Sequence, residues 1–359
     1  MTRKPKRPSL DASDFAKPRG ESQGRSPSRG PGGEAPGSVT PAKPEPVEEP
    51  EEELDEPDEE PDEKPAASSA AAPAGTERRD LGPLISSRKN ARIHLARALA
   101  TRRGRKREGK FLVEGVKVIK ELLGRNVPIE LVLWKEGLEQ RPDARALIGD
   151  LKGRGVEAFG VAPALFDELV DTESSQGLLA VAPMQWRSLE DALGPVPEDP
   201  EKAPPRAVLV AAGVQDPGNL GTILRSARFL GFAAVACLSG TTDPWAPKVV
   251  RASSGALIDA PPARVDSLAE LAEEARARGY RTIALSPRGG KPLEKTTLPR
   301  RSILLLGAEG PGLTTAAIEG ADEHVTLAAS DPAAESLNAA MAFAIFAYAW
   351  RAAWATPAG

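Results

Sequence analysis

Residues 207–231 read AVLVAAGVQDPGNLGTILRSARFLG. The run from Ala207 to Val214 is apolar throughout, without the in–out alternation of a strand that has one wet face. It predicts a strand buried on both sides. The segment NLGTILRSARFLG predicts a helix that closes at Gly231, a residue suited to the C′ cap. A buried strand feeding a helix is the repeating unit of an open α/β sheet. The turn between them, AAGVQDPGNLG, lacks the G-x-G-x-x-G spacing that lets a backbone approach a pyrophosphate, so an ordinary dinucleotide-binding domain is excluded.

The same alternation continues downstream. AAVACL, YRTIALS, SILLLG and HVTLAA predict strands, LAELAEEARARG an amphipathic helix, and SLNAAMAFAIFAYAWRAA a final helix. Near-continuous Val, Ile and Leu runs imply a mostly parallel sheet covered on both faces, in a domain spanning 206–355. Upstream, residues 187–205 are rich in Pro and charge and predict a linker. Before the linker, FLVEGVKVIKELL, IELVLW, VEAFGVA, PALFDELVD and GLLAVAPM predict a smaller α/β domain over 85–186. Its opening, Arg88 to Lys110, holds ten basic residues against Glu108 alone, a net of +9. Within it Ile93, Leu95, Ala96 and Leu99 are spaced for a helix, and RRGRKREGK predicts an exposed loop.

Residues 1–84 have the composition of a disordered tail: basic at first, then Ser/Gly/Pro-rich, then acidic from Glu45 to Glu63. The tail is either a solvating segment or one that contacts basic partners. Residues 1–80 carry 12 Lys and Arg against 19 Asp and Glu, so the formal charge of −4 for the whole chain becomes +3 over residues 81–359. The acidity therefore does not argue against a nucleic acid partner for the folded part. A single cysteine, Cys237, excludes an intrachain disulfide, fits a reducing cytoplasm, and sits in an apolar run as a small buried hydrophobe. The basic N-terminus has no apolar core of a secretory signal. The uncharged run Ala339–Trp350 falls short of the roughly 20 residues a membrane span needs. There is no P-loop, no Cys/His metal cluster and no Ser/His/Asp set, and His94 and His324 lack any motif context, so no metal is expected.

Three segments place polar groups where open α/β sheets bind ligands, at the carboxyl ends of strands or the start of helices. DPGNLGTILRSA carries Asn219 and Arg225, LLLGAEGPGL displays Glu309, and ESLNAAMAF carries Ser336 and Asn338. Each also has a plain reading. Asn219 and Ser336 suit helix N-caps, Arg225 a surface charge, and GAEGPG a tight turn that needs positive φ.

Together the three segments resemble the signature motifs of the SpoU (TrmH) branch of the SPOUT RNA methyltransferases. The resemblance runs through Asn219, Gly221, Arg225 and Ala227, then Gly307, Glu309, Gly310 and Gly312, then Ser336, Leu337 and Asn338. APKVVRASSGAL resembles the family segment between the first two motifs, through Lys248, Arg251, Ser254 and Gly255. The smaller domain resembles the family's RNA-binding domain through Ser87, Phe111, Glu114, Gly115, Gln176 and Gly177. The sequence departs from the family at Leu327, Ala328 and Ala329, where Ile-Pro-Met followed by Gly is usual, and Leu327 stands one residue further from Leu337.

The resemblance implies a trefoil-knotted α/β methyltransferase domain preceded by an RNA substrate-binding domain, in a homodimer with the active site at the shared interface. It implies S-adenosylmethionine as cofactor, held by Gly307, Gly310, Gly312, Leu327 and Leu337. The activity implied is methyl transfer to a ribose 2′-hydroxyl of rRNA; a tRNA substrate and an inactive RNA-binding member of the fold are the alternatives. An arginine is a poor general base because a guanidinium stays protonated. Arg225 is accordingly expected to fix a phosphate, with Asn219, Glu309, Ser336 and Asn338 orienting the ribose, the arginine and the donor loop. RNA capture is expected from Arg88, Lys89, Arg102, Arg103, Arg105, Lys106, Arg107 and Lys110, with Lys248 and Arg251 beside the site.

Overall fold

Strand β1 (Leu84–Ile85) opens the smaller domain. The computed structural model describes residues 81–171, 175–331 and 336–354; the predicted tail over residues 1–80 lies outside them. Helices α1 (Ala91–Ala100) and α2 (Arg102–Glu108) follow, then β2 (Lys110–Glu114), α3 (Val116–Gly124), β3 (Leu131–Lys135), α4 (Pro142–Gly153), β4 (Glu157–Val161), α5 (Pro163–Asp167) and β5 (Leu178–Pro183). The sheet order is β1-β4-β3-β5-β2. Strands β1, β4 and β3 run parallel, while β5 is antiparallel to both β3 and β2. Leu81 and Ile85 are buried, so the ordered domain begins inside the stretch assigned to the tail.

The second domain starts with α6 (Leu189–Leu193), which lies inside the predicted linker. Ser188 caps it, and Ala192 and Leu193 are fully buried against the second sheet. Then come β6 (Arg206–Ala212), α7 (Pro217–Phe229), β7 (Ala234–Leu238), α8 (Pro247–Ala252), α9 (Ala256–Asp259), β8 (Ala263–Val265), α10 (Leu268–Ala277), β9 (Arg281–Ser286), β10 (Lys291–Pro292), β11 (Arg301–Gly307), α11 (Thr315–Gly320), β12 (Glu323–Thr326) and α12 (Ala339–Trp354). All seven strands run parallel in the order β10-β12-β9-β11-β6-β7-β8. The buried-strand reading of 207–212 holds: Ala207, Val208, Leu209, Val210 and Ala211 are all fully buried.

The exposed loop expected from RRGRKREGK is instead helix α2. Thr101 caps its first turn by accepting from the Gly104 N–H at 3.0 Å, and Gly109 ends it at φ 66°. Arg105 is nearly fully buried. Its Nε and Nη2 each lie 2.7 Å from Asp243 Oδ2, and its Nη1 donates to the Leu99 and Ala100 carbonyls at 2.8 Å. Those carbonyls belong to the last turn of α1, where no intrahelical donor reaches. One hydrophobic cluster runs through both domains, and Phe111 of β2 packs on Trp245 with ring centroids 4.6 Å apart. Arg125 and Arg228 both pair with Asp259, and Arg251 lies 3.7 Å from Glu114.

Candidate active site

Register brings the first two motifs together. Strands β6 and β11 are neighbours, and Ala212 pairs with Gly307, so both strands end at the same level. The loop after β6 and the turn after β11 therefore emerge side by side. Asp216 caps α7 by accepting from the Asn219 N–H at 2.7 Å. Asn219 is thus not the cap; its side chain is left to face the β11 turn. Its Nδ2 donates to Glu309 Oε1 at 3.0 Å, and the Gln215 N–H donates to Glu309 Oε2, also at 3.0 Å.

Helix α12 packs across α7 and delivers the third motif. Asn338, not Ser336, caps it: its Oδ1 accepts from the N–H groups of Ala340 at 2.9 Å and Met341 at 3.3 Å. That fixes which way the amide points. Its Nδ2 faces Asn219 and donates to Oδ1 at 2.8 Å. Polarity is then forced along the whole chain, from the helix N–H groups through Asn338 and Asn219 to a carboxylate that only accepts. Three segments separated by 90 and 119 residues meet in one hydrogen-bonded line.

A cavity of about 540 Å³ opens beside this line, at the carboxyl ends of β9, β11 and β12. That volume suits a ligand of cofactor size. All five residues expected to hold the donor line it: Gly307, Gly310, Gly312, Leu327 and Leu337. So do Glu309, Ser336 and Asn338. Sequence reasoning missed Ser286, Pro287, Asp331 and Ala342 among the lining residues. The end of the YRTIALS strand was the available signal for Ser286. The wall at Gly307 is bare backbone. A Cβ there would sit 2.3 Å from Gly312 C and Leu313 N, so only glycine lets the turn fold back on its strand. The turn itself uses Gly310 at φ 86° and Gly312 at φ 69°.

The donor set fits S-adenosylmethionine. Leu285, Leu306, Leu327, Leu337 and Ala342 supply apolar surface for a purine, strand ends supply backbone polar groups, and the Glu309 and Asp331 carboxylates suit a cationic ligand. The Leu327-Ala328-Ala329 departure leaves the cavity formed, with all three residues in its wall.

Residues 206–348 match the SpoU rRNA Methylase family, and residues 90–180 match the MRM3-like substrate binding domain. The chain is 31% identical over 278 residues to an uncharacterized tRNA/rRNA methyltransferase of Synechocystis, covering 76% of this chain and 94% of that protein. The chain belongs to the SpoU methylase family. It is also 30% identical over 264 residues to the 23S rRNA (guanosine(2553)-2′-O)-methyltransferase of Bacillus subtilis, covering 74% of this chain and 97% of the relative. The solved structure of the SpoU methyltransferase AviRb from Streptomyces viridochromogenes, in complex with AdoMet, superposes with a TM-score of 0.63 at 29% identity. That match covers 74% of this chain and 98% of AviRb.

One expected site residue stands apart. Arg225 is exposed, does not line the cavity, and its side chain makes no hydrogen bond or ion pair with a described residue. It lies four residues before Phe229, on the same face of α7. Phe229 is 78% exposed, and Met341, Ile345 and Tyr348 of α12 form an apolar stripe that is 46–67% exposed.

The predicted RNA-binding residues divide by environment. Arg105 is corrected: it is buried against Asp243 and has no face left for a phosphate. Arg88 pairs with Glu168, whose carboxyl is held below its usual range first by the hydrogen bond from Arg88. Lys110 lies 2.6 Å from Glu130, Arg107 2.8 Å from Glu108, and Lys248 4.0 Å from Asp216. Arg251 is already engaged by Glu114. Lys89, Arg102, Arg103 and Lys106 are exposed, and their side chains make no ion pair with a described residue. Among the described residues there is no His/Cys/Asp/Glu cluster fit for a metal, and no helix is long and apolar enough to cross a membrane.

Proposed function

We propose that this chain is an S-adenosylmethionine-dependent RNA methyltransferase that acts on a ribose 2′-hydroxyl of ribosomal RNA. The observation that carries the reading is the Glu309–Asn219–Asn338 line at the mouth of the cavity. The donor, when bound, supplies an activated methyl group for in-line displacement by the hydroxyl. The chain's own residues bring the reacting groups into line and hold them there. Both oxygens of Glu309 already accept hydrogen bonds, so it anchors Asn219 and the Gln215 backbone as a positioning residue. Ser336 and Asn338 sit where a ribose entering the cavity would meet them. Arg225 is the group for the target's phosphate, since a guanidinium fork matches phosphate geometry.

Arg225 does not line the cavity of its own chain, which supports its serving the cavity of a second copy that meets this one across α7 and α12. The exposed apolar stripe and Phe229 support a homodimer on that face, with Arg225 at its edge. The seven-strand order, out of sequence at the β9–β12 end, is in keeping with the trefoil-knotted path expected of the family. Relatives named as 23S rRNA 2′-O-methyltransferases favour ribosomal RNA over tRNA as the substrate, which goes with a cytoplasmic location. The test is methyl transfer from radiolabelled donor to ribosomal RNA by Arg225→Ala. Activity should fall by about 100-fold, the scale of a misplaced reacting group, while donor affinity stays near wild type. Activity within a few-fold of wild type overturns the assignment.

A further inference from the structure

A second cleft, of about 290 Å³, lies where the two domains meet. Its walls are Arg102 and Lys106 from α2, Trp186 from the interdomain connection, the loop after β7 (Ser239 to Trp245), and Arg264 and Asp266 at β8. Nothing in the methyl-transfer site uses it.

Four observations bear on what it holds. First, its aromatic wall reaches solvent. Trp186 is 41% exposed and meets Trp245 edge-on at 6.0 Å between ring centroids. The Trp245 indole nitrogen is buried and has no hydrogen-bond partner among the described residues. Second, the charges have been sorted. Asp243 is neutralised by Arg105, and Arg264 is paired with Asp266 at 3.0 Å. That leaves Arg102 and Lys106, at i and i+4 on α2 and both exposed, as the cations of the cleft without an ion pair among the described residues. Third, the Arg105–Asp243 pair locks α2 over the cleft, so those cations are held in place.

Fourth, the cleft adjoins the loop that carries Asn219. Thr241 Oγ1 accepts from the Gly213 N–H at 3.1 Å and donates to the Ala211 carbonyl at 2.7 Å, and the Thr242 N–H donates to the Val214 carbonyl at 2.9 Å. Both sites open at the carboxyl edge of the same parallel sheet. With strands about 4.8 Å apart, β7 lies only about 10 Å from β11. That span is within reach of a nucleotide neighbouring one whose ribose sits at Glu309.

We propose that this cleft is a nucleotide subsite. It takes an unpaired base of the RNA next to the methylated residue, stacked on Trp186, with the adjoining phosphate held by Arg102 and Lys106. A stacking platform flanked by free cations is how proteins hold single-stranded RNA. The proposal rests on the RNA reading above and adds to it where the strand runs.

The test is binding of a short fluorescein-labelled single-stranded oligouridylate to the full chain, across a salt series. Trp186→Ala should weaken binding by about 5- to 100-fold, the range for losing one base stack, and Trp186→Phe should stay close to wild type. The double variant Arg102→Ala/Lys106→Ala should lower the slope of log Kd against log salt by about 0.7 for each phosphate no longer neutralised. Donor affinity, which reads folding and the other cavity, should be unchanged in all of them. If wild type binds the probe and neither Trp186→Ala nor the double variant differs from it, the subsite is refuted while the methyltransferase reading stands. If Trp186→Ala loses donor affinity as well, the double variant decides the question on its own. If wild type binds no RNA at low salt, the subsite and the RNA reading fall together.

Discussion

Replacing Arg105 by alanine separates two accounts of the basic segment. If Arg105 were one more phosphate ligand, the variant would fold as well as wild type and bind RNA less tightly. The structure predicts the reverse. The Arg105 side chain is 4% exposed and that of Asp243 13%, so the pair is desolvated on both sides. Removing one member of such a pair costs about 3–5 kcal/mol, because the other charge is left buried and alone. The Leu99 carbonyl also loses its donor in a buried setting, a cost of about 1–3 kcal/mol when water cannot replace it. Water can reach Asp243 in part, which draws the total back to about 4 kcal/mol. Against a whole-protein stability of about 5–15 kcal/mol, that is a large share. Urea unfolding followed by circular dichroism measures it directly. Arg105→Lys should fall between wild type and alanine, since an ammonium keeps the charge but not the planar fork. Arg105→Met/Asp243→Asn should recover much of the loss by leaving no unpaired charge. A loss below about 1 kcal/mol for Arg105→Ala, with weaker RNA binding, would refute the burial argument.

Gly307→Ala places a methyl group against the backbone at Gly312 and Leu313, so the turn must open; isothermal titration should show donor binding lost or reduced by at least about ten-fold. Glu309→Gln turns one acceptor into a donor facing either the Gln215 N–H or the Asn219 amide. Single-turnover methylation should slow by about 10- to 100-fold, with donor affinity little changed. Burial, with a smaller contribution from the Asp243 charge, pushes the Cys237 thiol up to about 12. In the unfolded chain a thiol ionises near about 8.5. The native protein should therefore resist iodoacetamide at pH 9, and urea stability should fall as pH rises from about 9 towards 12, because only the unfolded state gives up the proton there. Rapid alkylation of the native protein at pH 9 would contradict this.

The α/β alternation is legible because β6 and β11 are buried on both faces and so read as unbroken apolar runs. The expected donor residues and Glu309, Ser336 and Asn338 are legible, and meet at one cavity, because they stand at strand ends, in the turn after β11 or at a helix start. Ser286 ends β9 and shares that signal, whereas Pro287, Asp331 and Ala342 carry none and Arg225 lies off the cavity wall. The partners of the site residues are not legible. The cap of α7 is Asp216 and the cap of α12 is Asn338, so the expected caps Asn219 and Ser336 are free to serve the site. Helix α2 reads as a loop because RRGRKRE has no apolar stripe for a periodicity to find. Its stability comes from Thr101 and from Arg105, whose partner is 138 residues away. Helix α4 is different: its buried face, Ala144, Leu147, Ile148 and Leu151, keeps the i, i+3, i+4, i+7 spacing of an amphipathic helix behind a Pro at its first turn, so it is legible in the sequence although no helix is predicted there.

Arg105 and Arg102 are three residues apart in the same basic run, and composition treats them alike. The fold turns one inward to lock the domains and leaves the other over an open cleft. A charge count over a segment is therefore an upper bound on the phosphates it can neutralise. Of the ten basic residues between Arg88 and Lys110, only Lys89, Arg102, Arg103 and Lys106 reach solvent without a carboxylate partner among the described residues. Three of those four lie on α2. RNA affinity should accordingly follow that one helix, and the salt slope should count its cations rather than the net charge of the segment.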